Sequence, residues 1–232
     1  MPRVTGYELE DSDPHCRWPP GAAELIESAP WRRIVVLGDS VAAGIREPLA
    51  GYRDLDGVGR VAQALRAAHW SFRYRNLGVR DLRLAEIRDT QLCPALEFEP
   101  DLVIVAGGGN DAMKRTFDET RTRHELTSTV APLVAHGAQL ITVGLFDLAR
   151  SGHVPQPYAA SMADRFDPLD SLTALVAAEH FGVHTANHRH PLAADPSIFA
   201  SDRVHANARG HAIAAATLVE ALLKLPEPSG SE

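Results

Sequence analysis

Cysteine is scarce: only Cys16 and Cys93 occur among the 232 residues. Two thiols far apart in sequence could pair, but a domain of this size needs no such staple, so both are expected to be reduced and structural; they are too few for a Cys-rich zinc site. Long apolar runs are missing too. No stretch approaches the roughly 18 uninterrupted apolar residues of a membrane-spanning helix. The first residues, Met1 to Glu8, carry neither the basic region nor the apolar run of a secretory leader, and the expected location is cytoplasmic. Basic charge is in deficit, with 23 Lys and Arg against 30 Asp and Glu for a net charge of −7. That balance argues against nucleic acid as a partner. Internal repeats and low-complexity blocks are absent as well.

What is present suits a globular chain: 45% hydrophobic and 23% charged residues, at a length one α/β domain commonly reaches. Residues 1–30 read as an N-terminal extension, broken by Asp13-Pro14 and Pro19-Pro20-Gly21. Within it a short helix is expected over 22–28, docked on the body by Trp18 and Trp31. Residues 31–225 form the expected domain, and 226–232 a flexible tail.

Inside the domain, strand and helix patterns alternate. Ile34-Val35-Val36-Leu37 is a β-branched run suited to a buried parallel strand. Residues 57–68 carry a helical apolar stripe, 72–77 a more alternating strand nearer an edge, and 82–92 a second helix. Asp101-Leu102-Val103-Ile104-Val105-Ala106 is the clearest strand. A helix follows over 116–136, which Pro132 is expected to end or kink. Strands at 139–143 and 183–185 and helices at 169–180 and 206–225 complete the series, with residues 145–168 as a long irregular connection. Such alternation requires right-handed crossovers, and the expected fold is a three-layer α/β/α sandwich with a mostly parallel five-stranded sheet. Functional groups in these folds gather beyond the C-terminal ends of the strands.

The residues at those ends are chemically distinctive. Gly38-Asp39-Ser40 follows the first strand, Asn76-Leu77-Gly78 the second, and Gly107-Gly108-Gly109-Asn110-Asp111 the third. Asp202-Arg203-Val204-His205 precedes the last helix. A hydroxyl, an imidazole with a carboxylate three residues away, and amide donors are the set that acyl transfer needs. Each also has a plainer reading: Ser40 or Asp202 as a helix N-cap, Gly78 as a turn glycine, Asn110 as a left-handed turn residue.

Together the four blocks, in this order, resemble those of the SGNH hydrolase superfamily, in particular its GDSL-type esterases and lipases. Val41 stands where the family name has Leu. The resemblance runs from about residue 34 to 220 and implies a flavodoxin-like fold and ester cleavage. It implies Ser40 as nucleophile, His205 as base and Asp202 as its orienting acid, with an oxyanion hole from the Ser40 and Gly78 N–H groups and the Asn110 amide. The substrate would be a small or medium carboxylic ester, with no cofactor. Transfer of the acyl group to an alcohol or amine uses the same acyl-enzyme and is the alternative. A more remote one is a dinucleotide-binding oxidoreductase, since residues 107–112 fit G-x-G-x-x-A; that leaves Asp202 and His205 unexplained.

The histidines at 180, 184, 188, 190 and 211 share no helical face, and His124-Glu125 lacks the second histidine of H-E-x-x-H, so no metal is assigned. G-x-S-x-G is absent, which disfavours the α/β-hydrolase form of serine chemistry. Specificity is expected from residues 145–168, which carry Phe146, Leu148, Val154, Tyr158, Met162 and Phe166, with residues 49–56 as the opposite wall. The sequence leaves the oligomeric state open.

Overall fold

Five short strands lie side by side in the order β2-β1-β3-β4-β5, every neighbouring pair parallel. They are β1 (Arg33–Gly38), β2 (Arg73–Asn76), β3 (Leu102–Ala106), β4 (Gln139–Thr142) and β5 (Val183–His184). The structure, a computed structural model, describes residues 6–227, so residues 228–232 of the expected tail lie outside the described residues. Strand geometry sends successive side chains to opposite faces. Ile34, Val36, Leu102 and Ile104 enter one apolar cluster, while Val35, Leu37, Val103 and Val105 enter another. Both faces of the central strands are buried, which is why these segments read as unbroken apolar runs. β2 is an edge strand and mostly exposed.

Helices cover both faces. α2 (Ala22–Ser28), α3 (Gly57–Ala68) and α8 (Ala208–Leu222) lie against the first cluster through Ile26, Val61, Leu65, Leu218 and Leu222. α4 (Leu84–Glu97), α6 (Glu119–Ala135) and α7 (Tyr158–Glu179) lie against the second through Ile87, Leu126, Leu133 and Val176. Two shorter helices are α1 (Glu8–Ser12) and α5 (Gly109–Ala112). None of the described helices is long and apolar enough to cross a membrane.

Two differences from the sequence-based expectation share one cause. α7 starts at Tyr158, eleven residues before the expected helix, and runs through Pro168, and α4 runs through Pro94; α6 also holds a proline, Pro132, three residues before its end at Ala135. An interior proline costs a helix about 3 kcal/mol in isolation. In α7, Ala159, Phe166, Leu169, Thr173 and Val176 bury one continuous face, and that packing outweighs the local cost. The connection before α7 is therefore shorter and more ordered than expected.

The residues before β1 pack on the body. Ala22, Ile26, Ala29 and Trp31 are buried in the first cluster, with Trp18 against it. Ahead of them, Glu10 accepts from Arg60 Nη1 (2.5 Å), Arg53 Nη1 (2.6 Å) and Arg53 N–H (2.7 Å). Asp13 accepts from Arg209 Nε (2.7 Å) and from the Tyr52 hydroxyl (3.1 Å). Both thiols are free; Cys16 is buried in this region, whereas Cys93 is exposed on α4.

Candidate active site

β1 stops at Gly38 because only glycine fits there. Its φ is +147°, and a Cβ would stand 1.8 Å from the Ala106 carbonyl oxygen. The chain then turns sharply, with Asp39 N–H donating to Ala106 O (3.1 Å), and Ser40 emerges at the C-terminal edge of the sheet. His205 arrives from the other end of the sequence, on the loop before α8. Its Nε2 lies 2.9 Å from Ser40 Oγ, and its Nδ1 lies 2.6 Å from Asp202 Oδ2.

Asp202 holds its own loop in shape. Its Oδ1 accepts from the N–H groups of Val204 and His205, both at 3.0 Å, while Oδ2 meets the ring. Partial burial works against the Asp202 carboxylate, but these bonds outweigh it and keep its pKa below the ordinary aspartate value. The plainer reading of Asp202 as the cap of the last helix does not hold. That cap is Asn207, whose side chain accepts from Arg209 N–H and Gly210 N–H.

Donors surround Ser40 unevenly. Its own N–H has no hydrogen-bond partner among the described residues. Asn110 sits in the first turn of α5, the left-handed residue there being Gly108, and its amide donates to Leu82 O at 2.9 Å. A second, long contact of 3.5 Å reaches Asp39 Oδ2, so one Asn110 N–H is only weakly engaged.

Gly78 does not occupy the place expected of it. Its N–H donates to Asn76 Oδ1 (2.8 Å), and it is not among the residues around the cavity beside Ser40. Packing explains the glycine: a Cβ would fall 2.3 Å from Ala43 N. The part of this loop that reaches the cavity is Arg80 and Asp81. Asp81 adopts φ +66°, which non-glycine residues seldom take, and its N–H has no partner among the described residues. Nothing in an Arg-Asp pair on a loop signals this conformation, so the sequence offered no route to it.

Two buried groups complete the electrostatics. Asp39 is sealed beside Ser40, and burial pushes its pKa up to about 6, although Val41 N–H donates to it at 2.9 Å. Burial also lowers the pKa of His211, which favours the neutral ring. Gly57 N–H donates to its Nδ1 (3.1 Å), leaving Nε2 as donor to Ile45 O (3.2 Å).

Ser40, His205 and Asn110 open on a cavity of about 410 Å³ between the sheet edge and the starts of α3 and α8. Phe146 and Leu148 line it as expected. Tyr158 does not: it begins α7 on the outer surface and is 61% exposed. Met162 is one turn further along α7 and packs into apolar clusters beside Phe166 and Leu148 instead of lining the cavity. Both misplacements follow from the early start of α7, which turns this segment from a loose wall into a helix. Phe166 on that helix supplies the wall. Of residues 49–56 only Asp56 lines the cavity, and Val143, Phe199, Asn187 and Leu218 were not anticipated.

The segment 107–112 opens only the four-residue α5, too short to present a phosphate site of the dinucleotide type. The result is a three-layer α/β domain with Ser40, His205 and Asp202 joined at the C-terminal edge of its sheet. Residues 36–213 match the GDSL-like Lipase/Acylhydrolase family, and the chain belongs to that family of ester hydrolases. Its fold is shared with a catalytic mutant of Axe2, an acetylxylan esterase from Geobacillus stearothermophilus. The identity is 17%, with 87% of this chain and 97% of that one covered, at a TM-score of 0.67. It is similar too to LAE5, an alpha/beta hydrolase enzyme from the metagenome of Lake Arreo, Spain (18% identity, 87% and 100% covered, TM-score 0.65). A third structure is that of TesA (18% identity, 84% and 99% covered, TM-score 0.66). No curated protein matches the chain by sequence.

Proposed function

We propose that this chain hydrolyses carboxylic esters through an acyl-enzyme on Ser40. The observation that carries the reading is the unbroken relay from Ser40 Oγ through His205 to Asp202, with contacts of 2.9 and 2.6 Å, at the mouth of an apolar cavity. With Nδ1 facing the Asp202 carboxylate, the ring keeps its proton there, and Nε2 is free to accept from Ser40. Ser40 attacks the ester carbonyl as His205 takes its proton, and the imidazolium is stabilised by Asp202. His205 then protonates the leaving alcohol, and a water activated by the same ring releases the acid.

The charge that develops on the carbonyl oxygen needs donors not already committed. Ser40 N–H and the weakly engaged Asn110 N–H meet that condition. Gly78 N–H does not, being taken by Asn76, and the Asp81 N–H is assigned as third donor in its place. Asp202 is about half exposed, so water has access to the relay, which favours hydrolysis over transfer to another acceptor.

The test is a panel of chromogenic esters of increasing acyl length, run with wild type and Ser40→Ala, together with labelling by a serine-directed phosphonate. Turnover by wild type alone and one label at Ser40 are the expected results. Equal rates for both proteins, or a label on another serine, overturn the mechanism. Faster product formation with added alcohols, as new esters, would move the assignment to transfer.

A further inference from the structure

The cavity beside Ser40 is walled mainly by apolar side chains such as Val143, Phe166 and Leu218, yet two polar groups face it from the segment after β5. Asn187 is 3% exposed. One end of its amide meets the Thr217 hydroxyl, and the other has no hydrogen-bond partner among the described residues. That free end is not sealed in. Among the described side chains only His153 Nε2 is both sealed and unpartnered, so the free end of Asn187 is reached from the cavity. Thr185, 1% exposed, accepts from Gly144 N–H at 2.9 Å, and its hydroxyl proton has no acceptor among the described residues.

An amide end and a hydroxyl held inside an apolar space are costly unless something pairs with them. A saturated acyl chain filling the cavity would displace water and leave both unpaired. A chain carrying an oxygen at that depth would pair with both. We propose that Asn187 and Thr185 form a subsite for an acyl group bearing a hydroxyl or keto oxygen, so that the preferred substrate is the ester of a hydroxy- or oxo-acid. The inference rests on the reading of Ser40 as the nucleophile and of this cavity as the acyl side of the site. Asn187 and Thr185 set specificity here and take no part in bond making.

Chromogenic esters of straight-chain acids of four to eight carbons, plain or carrying a hydroxyl or keto group at each successive carbon from the third, test it through kcat/KM. At least one oxygenated ester is expected to exceed its plain parent by tenfold or more. Asn187→Leu combined with Thr217→Val makes both partners apolar, and is expected to bring the kcat/KM ratio of oxygenated to plain ester down to about one. If that protein does not fold, Asn187→Asp keeps the Thr217 contact, loses the amide N–H and is expected to weaken the preference too. Calorimetry on Ser40→Ala protein gives a readout free of turnover, with the oxygenated free acid expected to bind at least tenfold tighter than the plain one. Plain esters matching or beating every oxygenated one, with equal binding of the two acids, overturns the subsite and leaves the esterase reading standing. Full turnover by Ser40→Ala overturns the reading of Ser40 as nucleophile instead.

Discussion

Two hydroxyl–imidazole–carboxylate relays lie along the same edge of this sheet. One is Ser40, His205 and Asp202. The other is Thr142 at the end of β4, His184 at the end of β5, and Asp170 on α7, with Thr142 Oγ1 2.8 Å from His184 Nδ1 and His184 Nε2 2.8 Å from Asp170 Oδ1. By distance alone they are equals. Their surroundings differ in kind. The first faces a cavity of about 410 Å³, and Asp202 is half exposed. In the second, Thr142 is fully buried and the adjoining void is about 10 Å³, room for one water at most. The ring is also reversed: the carboxylate takes Nδ1 in the first relay and Nε2 in the second. Matching bond lengths therefore do not make a catalytic site. Access for a carbonyl and free donors around the hydroxyl are needed as well, and of the two relays only the Ser40 side has both.

The hardest blow to that contrast is Ser40→Ala. If the open relay carries the chemistry, kcat on any accepted ester falls by about 10⁴-fold or more, and His205→Gln falls comparably because the two act as a unit. Thermal unfolding should show both variants folded. Asp202→Asn is expected to cost less, about 10²–10⁴-fold, since Asp202 orients the ring without exchanging protons. Asn110→Ala removes one donor and should lower kcat by about 10²–10³-fold with KM little changed. An Asn110 effect confined to KM would place that amide in ground-state binding and remove it from the oxyanion hole.

Asp39 sharpens the comparison from the side of stability. It is buried next to the open relay, and its pKa stands at about 6 against an ordinary aspartate value of 3.8. Below about pH 4 the group is protonated folded and unfolded, and imposes no penalty. As pH rises through 4 to 6 the unfolded chain ionises first, so the folded state loses stability, by about 3 kcal/mol once both are ionised. Asn keeps an oxygen for Val41 N–H and does not titrate. Asp39→Asn should therefore raise Tm at pH 8 and change it little at pH 4, and a gain independent of pH would contradict the burial argument.

How far the chain explains itself varies by region. The sheet is legible because its central strands are buried on both faces, so Ile34 to Leu37 and Leu102 to Ala106 had to be apolar, and most of them are β-branched. Asp202 and His205 are legible because three residues of separation lets one carboxylate reach both the ring and the local backbone. The pairing of Ser40 with His205 is legible only through the strand-end rule, which brings groups 165 residues apart to one edge. The cavity walls are legible only in part. Phe146, Leu148 and Phe166 lie in the segment expected to line it, but Val143 and Leu218 look like core residues in sequence, and whether an apolar side chain faces a neighbour or an empty space depends on helix placement. That placement was obscured at Pro168, where packing of a helix face overrides a local breaker. Asp81 is hidden for another reason: its left-handed backbone is imposed by the loop around it, against the preference of its own side chain.

The smallest expected effect tests the closed relay. Thr142→Val preserves shape and removes the hydroxyl, which leaves His184 Nδ1 buried without its partner. The loss should appear as about 1–3 kcal/mol of folding stability, read from denaturant unfolding. kcat/KM should stay within about twofold, because the nearby void admits no ester and the change creates no cavity that would move α7 and its Phe166 wall. A fall in activity without a fall in stability would mean that β4 transmits the state of its buried imidazole to the cavity through Val143, the next residue along the chain. The two relays would then be one coupled system, and the distinction drawn from access alone would fail.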